Sequence, residues 1–328
     1  MNPNRDLPST AASAIRPTTI IEAPRLASRL GVEMFLASET FQHTGSFKFR
    51  AAFNVASKVP QPRIITASSG NFGQAMASAC RLLGKSCTVV MPDTSARVKV
   101  EAVREYGGTV DTIDVRKISR QQRVQDLAKA DPDAYVASAY DDPLVIEGNA
   151  TLGVELAALK RRIDLVVAPV GGGGLTAGLI QGLRAGQSSA TPRVIGVEPA
   201  LANDAARSLR AGRIMANESE PQTIADGVRT ISLGRHNWEI LRGGLAGIVE
   251  VTEEQIKEAV RLLFSLANLK VEPTGALPVA ALLAAPETFR GRSVCCVASG
   301  GNVDAAVFAG ILSAEGAGCS ATKTNAPG

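Results

Sequence analysis

The sequence predicts an α/β protein of two lobes, each built on a twisted, mostly parallel sheet flanked by helices. Three observations carry the prediction. Short apolar, β-rich runs alternate with segments of helical period along nearly the whole chain. Polar and glycine-rich segments fall where those runs give way to helices, the place where open α/β sheets bind ligands. The 328 residues are 45% hydrophobic, enough for a large core or two smaller ones.

The strand candidates, in order, are Met34–Ser38, Arg63–Ala67, Ser86–Met91, Val110–Asp114, Ala134–Ser138, Asp164–Val170, Arg193–Glu198, Gly247–Val251 and Ser293–Ala298. Helices are predicted to begin near Ser46, Gly70, Ser95, Ser119, Pro143, Gly174, Asn203, Thr252, Thr274 and Asn302. The block 63–138 holds four strand–helix steps and is expected to form a small domain. Residues 1–62 and 139–328 would form the large one. The segment 314–328 is rich in Ala, Gly, Ser and Thr and is expected to fray.

Composition excludes several classes of partner. The net charge of +4 comes from 35 basic and 31 acidic side chains spread along the chain, with no basic run interleaved with aromatics, so nucleic acid is not expected. The most apolar stretch, Leu165–Ile180, is broken by four glycines and a proline, and the first residues lack a signal-peptide core, so no membrane association is expected. Five cysteines without a C-x-x-C pair point to a reduced, cytoplasmic protein. Cys295 and Cys296, neighbours in an apolar run, should face opposite sides of a strand.

Four segments at strand–helix junctions carry candidate chemistry. Gly171–Gly174, after the strand DLVVAPV, lets several backbone N–H groups converge on one anion ahead of a helix N-terminus, which suits a phosphate. Gly172, Gly174 and Ala177 also match a loose dinucleotide pattern with Glu198 downstream, so a nicotinamide-dependent dehydrogenase is a competing reading. In Thr44–Arg50, Ser46 reads as a helix N-cap, which puts Lys48 in the first turn. The helix terminus there disfavours a positive charge and favours the neutral amine. Ser68–Gln74 offers hydroxyls, free amides and Asn71 for a carboxylate or ring hydroxyl. Ser299–Asn302 places a hydroxyl at a strand end, where it can meet a heteroaromatic nitrogen.

Together these segments resemble the fold-type-II pyridoxal 5′-phosphate (PLP) enzymes, in the branch of serine/threonine dehydratases and serine racemases, from about Thr18 to Ile311. The resemblance implies a tryptophan synthase β-like fold and gives each motif a role. Lys48 of TGSFKFR, with Phe47 beside it, is the implied Schiff-base residue and the base at the substrate Cα. SSGNFGQA supplies Ser68, Ser69, Gly70, Asn71 and Phe72 to the substrate, Asn71 also lying near the ring hydroxyl. Gly171, Gly172, Gly173, Gly174 and Leu175 form the phosphate cup. Ser299 is the implied partner of the pyridine nitrogen, and Glu272 of VEPTG lies close to the ring. Arg120 is a further substrate contact.

Ser69 would serve the second face of Cα, which brings racemisation into view. Glu198, Ala202 and Asp204 match a structural Mg²⁺ or Ca²⁺ site of oxygen ligands. The implied activity is an ammonia-lyase acting on a small L-3-hydroxy amino acid, threonine- or serine-like or bulkier, giving a 2-oxo acid and ammonia. A racemase and a β-replacement enzyme are the alternatives within this chemistry. A homodimer is the implied assembly. Phe72 stands where His is frequent in relatives, a departure that bears on substrate choice.

Overall fold

The computed structural model describes residues 14–68, 70–95, 97–186 and 191–314. Ser69 and the tail from residue 315 onward lie outside the described residues. Among the described residues, ten strands form two sheets. The first holds β1 (Thr19–Glu22), β2 (Glu33–Ser38), β7 (Leu165–Pro169), β8 (Arg193–Pro199), β9 (Leu245–Val251) and β10 (Ser293–Ala298), in the spatial order β1-β2-β10-β7-β8-β9. Only the β1–β2 pair is antiparallel. The second sheet is parallel throughout, in the order β5-β4-β3-β6, from β3 (Arg63–Ala67), β4 (Ser86–Pro92), β5 (Thr109–Ile113) and β6 (Tyr135–Ala137).

All nine predicted strands are present. The runs of β7, β8 and β10 are buried almost throughout, as in parallel sheets covered on both faces, while β5 and β6 are part-exposed. Every residue of β10 is buried, and Cys296 packs into the core on one side while Cys295 packs into the core on the other. Strand β1, four half-exposed residues at the sheet edge, is too short to register as a pattern. The helices Pro24–Leu30 and Arg235–Gly244 were also not anticipated. The first carries a readable signature, Pro at its start and left-handed Gly31 at its end.

The helix Lys48–Lys58 belongs to neither sheet alone. Its Phe49 and Phe53 pack with Ile64, Phe72, Met76 and Val89 of the second sheet and its helices. Its opposite side is pinned by Arg50, which is fully buried and holds Glu39 and Glu155 at 2.7–2.9 Å. The two sheets therefore meet across the helix that carries the candidate lysine.

Candidate active site

The lysine helix is launched by backbone pairing. Thr44 and Gly45 take left-handed φ values of 58° and 73° in the turn His43–Gly45. Ser46 then extends and bridges Gly300, and the Phe47 N–H donates to the Ser299 carbonyl at 2.9 Å. This pairing corrects one expectation. Ser46 does not cap the helix; Phe47 holds the N-cap position, and Ser46 Oγ is buried without a partner.

Lys48 is the first helical residue and only partly exposed. Its Nζ donates to the Ala139 carbonyl at 2.7 Å and lies 5.1 and 5.6 Å from the ring centres of Phe47 and Phe72. Burial pulls the ammonium down to about 8, against the opposing charge of Glu272. The lowered basicity argued from sequence is present, but its leading cause is desolvation rather than the helix terminus.

Gly171–Gly174 are all buried and form the turn between β7 and the helix Gly174–Ala185. Gly171 and Gly173 are left-handed, at φ 54° and 95°. A Cβ on Gly172 would lie 2.4 Å from the Tyr140 ring, and one on Gly174 would lie 2.9 Å from the Tyr140 carbonyl. The loop is thus shaped to keep backbone, not side chain, at its surface. The Gly172 carbonyl is tied back by the Asn237 amide at 2.7 Å and the Gly234 N–H at 3.0 Å. The first-turn N–H groups of the helix, Gly174 to Thr176, have no acceptor within the helix. Gly234 and Asn237 escaped the sequence reading because each acts through the loop it packs against; Tyr140 stands where His is frequent in relatives, and its packing on the loop was not legible.

Ser299, the residue after β10, has a buried Oγ with no hydrogen-bond partner. Glu272 is buried beside it in space: its N–H donates to the Gly300 carbonyl, and both its oxygens accept from Asn71 Nδ2, at 2.9 and 3.1 Å. Burial, then the charge of Asp226, pushes the Glu272 carboxyl up to about 8, while Asn71, Lys99 and the Asn302 N–H hold it down. The structure therefore gathers Phe47, Lys48, Asn71, Phe72 and Ser299 from three of the four predicted segments, with Glu272 of VEPTG. Ser68 and Gly70 flank Asn71, with the Gly70 N–H donating to Ser68 Oγ. Arg120, at the start of its own helix, pairs with Glu220 at 3.2 Å, and its charge bears on Tyr140 beside the glycine turn. Lys99 pairs likewise with Asp226. Both pairs join the second-sheet block to the segment 220–226.

Glu198 at the end of β8, Ala202 in the turn Ala200–Ala202 and Asp204 at the next helix start are all buried. Glu198 accepts from the N–H groups of Ala205 and Ala206. Asp204 Oδ1 accepts from Asn217, and Oδ2 is buried with no partner. Burial raises both carboxyls, Asp204 to about 6, and their mutual repulsion adds to the rise at Glu198. Two neighbouring buried acids, one with an orphaned oxygen, fit a divalent ion with hard oxygen ligands.

The amine of Lys48, a glycine turn that a single Cβ would fill, and the unpartnered Ser299 hydroxyl fit a phosphorylated pyridine aldehyde. The fold and these groups define a lysine-dependent enzyme with a site for an aromatic phosphate cofactor. Residues 11–300 match the family described as pyridoxal-phosphate dependent enzyme, and the chain belongs to that family. It is 36% identical over 299 residues to an L-threo-3-hydroxyaspartate ammonia-lyase of Pseudomonas sp, covering 90% of this chain and 92% of the relative. It is 35% identical to the serine racemase of Homo sapiens, covering 89% and 87%. The crystal structure of T.th. threonine deaminase superposes with a TM-score of 0.84 at 41% identity, covering 89% of this chain and 95% of that one. These matches leave no room for the dehydrogenase reading. Among the described residues, no helix is long and apolar enough to cross a membrane.

Proposed function

We propose that this protein is a PLP-dependent ammonia-lyase that dehydrates a small L-3-hydroxy amino acid to a 2-oxo acid and ammonia. The observation that carries the reading is Lys48, whose amine rests on the Ala139 carbonyl between the Phe47 and Phe72 rings and is driven by burial toward its neutral form. When bound, the cofactor supplies an electron-withdrawing ring conjugated to the substrate nitrogen. Lys48 would hold the cofactor carbon and, once displaced, take the Cα proton as general base. The N–H groups of Gly171–Leu175 would hold the phosphate. Ser299 would meet the ring nitrogen with a neutral hydroxyl rather than a carboxylate. That keeps the ring a modest electron sink, suited to prompt loss of a β-leaving group. Asn71 and Glu272 would lie along the ring edge, and Ser68, Ser69, Gly70 and Phe72 would face the substrate carboxylate.

3-Hydroxyaspartate is the first substrate to test. Ammonia-lyases named for it are similar over about nine-tenths of this chain. The second-sheet block also presents Lys99 and Arg120, each already matched to an acidic side chain, a chemistry that suits a second carboxylate. The block 63–138 is read as a small domain, the protein as cytoplasmic and its assembly as a homodimer. Incubation with a panel of 3-hydroxy amino acids should release 2-oxo acid without a second substrate. Turnover only in the presence of an added thiol or amine would replace this reading with β-replacement. Racemisation is the second reading, favoured by Ser at position 69 and the serine racemase relatives; Ser69→Ala should abolish it and spare elimination.

A further inference from the structure

We infer that Asn302 is a positioning residue that fixes the amide orientation of Asn71 and, through it, the state of the Glu272 carboxylate. Asn302 Nδ2 donates to the Thr44 carbonyl at 2.7 Å and to Asn71 Oδ1 at 2.8 Å. The Thr44 carbonyl can only accept, so Asn302 must present its NH₂ and not its oxygen. Asn71 must then offer Oδ1 to Asn302, which leaves its own NH₂ for Glu272. A carboxylate approached by the two N–H bonds of one amide is held as an acceptor. One backbone carbonyl thus sets the direction of a relay that runs through two side-chain amides to a third segment.

The chain is built around this contact. Gly45 is left-handed at φ 73°, and a Cβ there would lie 2.4 Å from Asn302 Oδ1. The Gly301 N–H donates to the Gly45 carbonyl at 3.0 Å, which seats the Asn302 backbone against the same turn. The relay therefore joins the lysine turn, the Asn71 loop and the Glu272 helix start. The groups facing Glu272 are Asn71, Asn302, Asp226, Lys99 and Lys48. Of these, only Asn302 contacts both Asn71 and the turn ahead of Lys48.

The inference rests on Asn71 and Glu272 lying against the cofactor ring, and the test separates the two claims. The probe is pyridoxine 5′-phosphate, which has no aldehyde and cannot bond Lys48. Its binding to the apoprotein is read by quenching of Trp238, the one tryptophan. Asn302→Asp places an oxygen against the Thr44 carbonyl and forces Asn71 to turn its oxygen toward Glu272. It should weaken the probe about tenfold and raise the pH midpoint of binding. Asn302→Ala, which adds no charge, should weaken it less. In an Asn71→Ala background Asn302→Ala should have no further effect. If Asn71→Ala leaves the probe affinity unchanged, the ring-edge reading fails. If Asn71→Ala weakens binding but the Asn302 substitutions do not, or if the effects add, the relay is overturned. Apoprotein melting establishes that each variant is folded, and the alanine variant decides the matter should the aspartate variant not be.

Discussion

Lys48 Nζ donates to the Ala139 carbonyl at 2.7 Å, so the amine at the head of one helix is held by the backbone that leaves β6. The bond places the amine where the chain returns from the second sheet to the first.

Lys48→Ala should remove all turnover and all covalent retention of the cofactor, while apoprotein melting stays near that of the parent. Borohydride treatment of the parent followed by peptide mass analysis should find the cofactor on Lys48 alone. Reduction onto any other lysine would refute the assignment.

The pH dependence of Lys48 in the apoprotein is a separate check. Its ammonium is lowered to about 8 from the ordinary 10.5, so the neutral, nucleophilic form takes over above pH 8. The rate of Lys48 modification by an amine-selective reagent should rise with a midpoint near 8. A midpoint near 10.5 would mean that burial does not govern this group.

Glu272 makes the apoprotein pH-sensitive in the opposite sense. Its carboxyl is raised to about 8 from 4.5, so between those values the folded chain keeps a proton that the unfolded chain has released. Stability contributed at this position is lost as pH rises across that window. Glu272→Gln should flatten the fall in unfolding free energy measured by urea titration between pH 5 and 8, though Glu198, raised by its own burial, leaves part of the slope.

Gly172→Ala tests the phosphate cup. The added methyl meets the Tyr140 ring at 2.4 Å, inside any permitted contact. Overpacking of this kind costs about 1–3 kcal/mol, and here it falls on the loop that would carry the phosphate. Cofactor affinity should drop by at least about tenfold, with a smaller loss in melting temperature. Retained affinity would place the phosphate elsewhere.

The acids at the end of β8 should respond to Mg²⁺ or Ca²⁺ added to the parent. Saturation at about a hundred times the dissociation constant would stabilise the fold by about 2.7 kcal/mol. Asp204→Asn should abolish the response and leave the Lys48 chemistry in place. An equal response in that variant would remove Asp204 from the ligand set.

The sequence was most legible where pattern and chemistry coincide. Ser293–Ala298 reads as a buried strand because all six residues are covered, and its end at Ser299 follows directly. Gly171–Gly174 could be read as an anion turn because glycines before a helix have few other uses. Ser46 misled, since a serine two residues before a helix looks like a cap until its backbone is seen paired with Gly300. The last helix was placed near Asn302 but begins at Ala305 under an Asp304 cap, because Gly301 and Asn302 are drawn to the Thr44–Gly45 turn. Asn237 and Asn302 act through contacts more than 60 residues away in the chain, and no local pattern announces those.

The strand order has a bearing on synthesis. The second sheet is drawn from one continuous stretch, Arg63 to Ala137, and can close while translation is still under way. The first sheet cannot. Its strand β10 is the last to leave the ribosome yet lies between β2 and β7, so β2 and β1 wait without their inner neighbour until some 250 later residues have been added. During that interval the apolar edge of β2, with Phe35 and Leu36, is open to the wrong strand. The finished enzyme is assembled around a gap that its final strand fills.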